Sequence, residues 1–86
     1  MNINELISIV KKKLHEQIVI EDIILEDKSF LHKNHPGNQK GKFHLKITLK
    51  SVELKKLSRI ERNKKIYKTL DKELKSFIHS IEILIN

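Results

Sequence analysis

The chain has 86 residues, eighteen basic against eleven acidic side chains for a formal charge of +7, five histidines and no cysteine. A length of this order makes one domain, spanning residues 1–86, that buries roughly 60 to 65% of the surface its unfolded chain exposes, which excludes a multidomain enzyme. The lack of cysteine excludes a disulfide framework and a thiol nucleophile, and no apolar run nears the roughly 20 residues that span a bilayer, so we expect a cytoplasmic protein without membrane contact.

In chain order, Ile3, Leu6, Ile7, Val10 and Leu14 recur at helical spacing, with Asn2 and Glu5 placed as an N-cap pair, and predict a helix to about His15. Ile18 to Leu25 is rich in β-branched residues and predicts a strand that enters a loop at Glu26-Asp27-Lys28-Ser29. Phe43, Leu45, Ile47 and Leu49 alternate with His44, Lys46, Thr48 and Lys50, a half-buried strand with its histidine on the polar face. The intervening loop holds Pro36, Gly37 and Gly41 and is long for a hairpin, a length that often goes with function.

From Ser58 the pattern is helical again, with Ile60, Tyr67, Leu70 and Leu74 on one stripe, Asn63 in its middle, and Lys64, Lys65, Lys68, Lys72 and Lys75 on the other side. The closing strand alternates His79, Ile81, Ile83 and Ile85 with Ser80, Glu82 and Leu84. This order packs as an α+β sandwich, a three-stranded mixed sheet with helices packed on one face, because each helix has one apolar stripe to hide. The first two strands pair antiparallel, and the crossover through the long helix allows a parallel third.

Three histidines stand where chemistry can use them: His32 and His35 in the glycine-bearing loop and His79 at the start of the last strand. Two or three imidazoles leave a transition-metal site incomplete without outside ligands, so the chain carries half of a site. No acid/base pair, phosphate loop or activated nucleophile is visible, and we expect no enzymatic activity. The basic balance admits nucleic acid as a partner through counterion release, but only Arg59 and Arg62 are arginine, and a lysine-rich surface is usually just hydrated.

Several segments in this order resemble the BolA family across nearly the whole chain. Ser29-Phe30-Leu31-His32-Lys33-Asn34-His35-Pro36-Gly37 is similar to the family's Ser-x-x-His-x-x-His-x-Gly loop, and His44-Leu45-Lys46-Ile47 to its His-Phe strand. Arg62-Asn63-Lys64-Lys65-Ile66-Tyr67 resembles its Arg-His-Arg helix, and Lys72-Glu73-Leu74 with Ile78-His79-Ser80-Ile81 resembles its Glu-Leu and Ile-His-Ala-Leu ending. Asn63 and Lys56 depart from a usual histidine and a common glycine.

The resemblance implies a class II KH-like, BolA-like fold of order αββ(α)αβ. It also implies a non-enzymatic partner of monothiol glutaredoxins that shares a bridging [2Fe-2S] cluster with the glutaredoxin cysteine and glutathione, while the isolated chain, a monomer or weak dimer, binds none. Carried over residue by residue, His79 is the strand ligand, His32 the second, and His35 its competitor. Imidazole ligation raises a cluster's potential and makes the bond protonatable. The competing expectation is a transcription regulator that binds DNA or RNA through Arg62, Lys64, Lys65, Lys68, Lys72 and Lys75. Against it, Lys55-Lys56-Leu57-Ser58 has none of the glycines with which KH domains clamp a backbone, and the chain has one tyrosine, three phenylalanines and no tryptophan with which to stack bases.

Overall fold

A computed structural model describes residues 2–29 and 42–86. Asn2 starts the first helix as the sequence predicts: its side-chain oxygen accepts from the Glu5 N–H at 2.9 Å and its amide donates to the Glu5 carboxylate at 3.1 Å. Helix α1 (Ile3–Gln17) buries Leu6, Val10 and Leu14, one stripe at the expected spacing, and runs two residues past His15.

Ile18 ends that helix instead of opening a strand, its N–H donating to the Leu14 carbonyl. Strand β1 (Asp22–Asp27) therefore starts later than the β-branched run suggests, and it includes Glu26 and Asp27, which the sequence assigns to a loop. The reason is tertiary: Ile18 is buried in the core, and the connection after it is tied by hydrogen bonds to the start of the next helix. Ser51 donates its hydroxyl to the Val19 carbonyl at 2.7 Å, Glu53 accepts from the Val19 N–H at 2.9 Å, and Glu21 accepts from the Val52 N–H at 2.7 Å.

Strand β2 (Phe43–Lys50) pairs antiparallel with β1 and parallel with β3 (Ile78–Ile85), in the order β1-β2-β3. Both pairings agree with the sequence expectation. Leu45, Ile47 and Leu49 of β2 meet Leu6, Val10, Leu14, Leu54, Ile66 and Leu70 in one core between the sheet and the helices.

The helical region from Ser58 is not one helix. A short α2 (Val52–Lys55) precedes α3 (Arg59–Thr69), which is followed by α4 (Asp71–Ser76) with a break at Leu70. Ser58 and Glu61 form a capping box that fixes where α3 begins. The predicted stripe holds in its second half only: Leu70 is buried and Leu74 packs half-buried against the core, whereas Ile60 is 69% exposed and Tyr67 43%, and Ile66 and Glu73 are buried in addition. Within α3 the inward face is instead the one that carries Ile66, with Arg62 and Asn63 half-buried about a turn before it.

Candidate functional site: the β2–β3 junction

The site grows from an irregularity in the central pairing. Phe43 pairs with Ile78 and His44 with Ser80, so one residue of β3, His79, has no partner on β2. It is the extra residue of a bulge, a device that re-aims a side chain. The bulge corrects the predicted alternation: His79 does not continue the row of Ile81, Ile83 and Ile85. Instead Ile78 is buried in the core and His79 is exposed. Two apolar residues three positions apart cannot share a face of a regular strand, and that spacing was the overlooked signal.

His44 is the second correction. It lies on β2 opposite in phase to Leu45, as expected for the polar face, yet it is only 4% exposed. Its Nδ1 shares a 2.6 Å hydrogen bond with the Ser80 hydroxyl, and its ring meets that of His79 edge-on, with centroids 4.9 Å apart and planes inclined by 64°. Its backbone is fixed as well, the N–H donating to the Ser29 hydroxyl at 3.1 Å and the carbonyl accepting from the Lys28 N–H at 2.7 Å. A strand residue expected at the surface is thus the support against which the exposed imidazole rests. Ser80 stands where the resembled family has alanine, and alanine could make no such bond.

The other sequence-predicted ligands, His32 and His35, lie outside the described residues. Among the described residues no group of three or more His, Asp or Glu side chains is placed to hold a metal ion. The donor chemistry fits a shared cluster and not a private one: an exposed imidazole is available, and the chain has no thiolate with which to hold iron and sulfide alone.

The basic residues of the alternative reading lie on α3 and α4. Lys64, Lys68, Lys72 and Lys75 are exposed on α3 and α4, and Arg62 is half-buried. Lys65 pairs with Glu53 at 3.6 Å and Lys75 with Asp71 at 3.0 Å. Lys65 and Lys68 join Lys13, Glu16, Gln17 and Thr69 around a cleft of about 490 Å³ between α1 and α3. Lys13, missed from the sequence, is drawn to the buried Glu73 at 2.6 Å, while the other oxygen of Glu73 is buried with no hydrogen-bond partner among the described residues. Lys56, at the position of the absent glycine, has ordinary right-handed helical geometry, φ −75° and ψ −14°, so nothing there requires glycine.

These features define a small α+β domain with one mixed sheet, a helical layer and an imidazole at the sheet rim. The profile of the family described as BolA-like protein matches residues 14–86, and the chain belongs to that family. It is 25% identical over 75 residues to the DNA-binding transcriptional regulator BolA of Haemophilus influenzae, covering 87% of this chain and 70% of that protein. Its fold is similar to the BolA domain of SufE1 from Arabidopsis thaliana, with a TM-score of 0.77 and 23% identity over 100% of this chain and 93% of the other. BolA1 from the same plant gives a TM-score of 0.75 and 22% identity over 92% of this chain and 87% of the other. No helix among the described residues is long and apolar enough to cross a membrane.

Proposed function

We propose that this chain is a non-enzymatic binding protein that pairs with a monothiol glutaredoxin and shares its [2Fe-2S] cluster, with His79 as a ligand. The observation that carries the reading is the bulge. It sets an imidazole outside the ladder, exposed to a partner and backed by the buried His44 ring, next to Phe43, where the chain leaves the segment of His32 and His35. The partner's thiolates supply what a chain without cysteine lacks. His32 and His35 remain the proposed second ligand and its competitor. Bound there, such a cluster supplies electron-accepting chemistry at a potential raised by imidazole.

Mixing the protein with a glutaredoxin loaded with cluster and glutathione should change the visible circular dichroism, and His79→Ala should abolish the change. A spectrum indifferent to the added protein, or to that substitution, refutes the proposal.

The second reading is nucleic-acid binding, favoured by the name of the Haemophilus relative and by the lysines of α3 and α4. Binding through these lysines is electrostatic, so it should weaken steeply with salt. Duplex DNA titrated at low and at physiological ionic strength tests it, and loss of all binding at the higher salt removes it.

A further inference from the structure

We propose that the outer edge of β3, with Arg59 and Arg62 of α3 beside it, is a docking surface for an extended acidic segment of a partner protein, which adds as a fourth strand. The surface lies at the far end of β3 from His79 and does not depend on the cluster reading.

β3 is a terminal strand of the sheet. The Asn86 N–H donates to the Leu49 carbonyl at 2.8 Å, so in this parallel ladder the even-numbered residues turn their peptide groups to β2 and Ile81, Ile83 and Ile85 turn theirs outward. No described residue bonds those outward groups. Proteins blunt such edges with charge, proline or shortness, because an open row of donors and acceptors invites pairing. The opposite edge is treated that way: β1 has 6 residues and carries Asp22, Glu26 and Asp27. By contrast β3 has 8 residues and one charged side chain, Glu82.

Alongside the open edge runs a cleft of about 300 Å³, with Arg59, Arg62 and Asn63 on one wall and Ile83, Leu84 and Ile85 on the other. Neither arginine has an ion-pair partner among the described residues, and the neighbouring Glu61 is engaged in the capping box. Guanidinium groups bind carboxylates in a forked, bidentate geometry. A strand supplies the alternating N–H and C=O groups, its acidic side chains meet the arginines, and its apolar ones cover Leu84, which is 46% exposed. The two competing occupants fit less well. Single-stranded nucleic acid needs stacking rings, which this cleft lacks. A second copy of the chain would bring the same arginines and a charge of +7 against its twin.

The test is amide NMR on the full chain, titrated with a soluble synthetic peptide that alternates valine and threonine and carries two glutamates. Expected are shifts and slowed hydrogen exchange at Ile81, Ile83 and Ile85. The double variant Arg59→Gln/Arg62→Gln should bind about tenfold more weakly, the equivalent of one charge-assisted hydrogen bond. The same peptide with lysines for glutamates, or with alternate amides N-methylated, should not bind. The proposal is overturned if the glutamate peptide leaves those amides unmoved, if the lysine peptide binds equally, if oligodeoxythymidine occupies the edge in its place, or if the free protein already protects these amides as a dimer.

Discussion

The two ends of β3 do different work with one strand. At its start, an extra residue breaks the ladder and hands a side chain, His79, to the outside; at its end the ladder is regular, and the backbone itself faces outward beside Arg59 and Arg62. The contrast teaches that a single unpaired residue decides which chemistry a strand presents. Ahead of the bulge, Ile78 faces the core; behind it, Ile81, Ile83 and Ile85 face the same core in the opposite numerical phase.

The largest way to break the comparison is to remove what both ends rest on. Ile47→Ala empties a fully buried position at the middle of β2 and should cost about 3 kcal/mol. In a domain this small that lowers the melting temperature by at least ten degrees or so, read by calorimetry. A loss under about 1 kcal/mol would mean that the core relaxes around the gap, contrary to its packing.

Separating the ends comes next. Ser80→Ala deletes the hydroxyl that holds His44 Nδ1 and leaves a buried ring nitrogen short of a partner, at a cost of about 1 kcal/mol. It should also shift the NMR signals of the His79 ring, which leans on His44, while leaving the amides of Ile83 and Ile85 in place. Shifts spread evenly along β3 would show that the two ends are not independent.

The smallest effect lies on the far strand. The Lys28 ammonium holds the exposed Glu26 carboxyl below the ordinary carboxylate range, first by a side-chain hydrogen bond and then by its charge, and Lys46 adds a little. A depressed carboxyl stabilises the fold above its unfolded pKa, and that contribution is lost as pH falls through the lowered value. Lys28→Ala should therefore raise the Glu26 pKa in an NMR titration and flatten the acid limb slightly, with almost no change in stability at neutral pH. An unmoved Glu26 titration would contradict the ion pair.

Much of this architecture is legible in the residues, and what is not has identifiable causes. The apolar spacing of Ile3 to Leu14, the Asn2 cap and the alternation from Phe43 to Lys50 are local signals that the fold leaves in place. Apolar spacing alone does not tell the face through Ile66 and Leu70, which is buried, from the face through Ile60 and Tyr67, which is exposed, because both include residues three or four positions before Leu70. His79 is conspicuous as a histidine, but its exposure depends on the ladder register. His44 with Ser80, and Lys13 with Glu73, are partners 36 and 60 positions apart that no period along the chain connects.

Pulsed electron paramagnetic resonance of the reduced cluster, formed with glutaredoxin and with ¹⁵N-histidine placed only in this chain, addresses the ligand itself. The expected result is a strong ¹⁵N coupling from two histidines, His79 and one of His32 and His35, of which the His79 contribution is lost when His79 is deleted. Because that residue is surplus to the ladder, the deletion protein should still fold and melt normally. A coupling unchanged by the loss of His79, or none in the intact protein, would contradict the assignment.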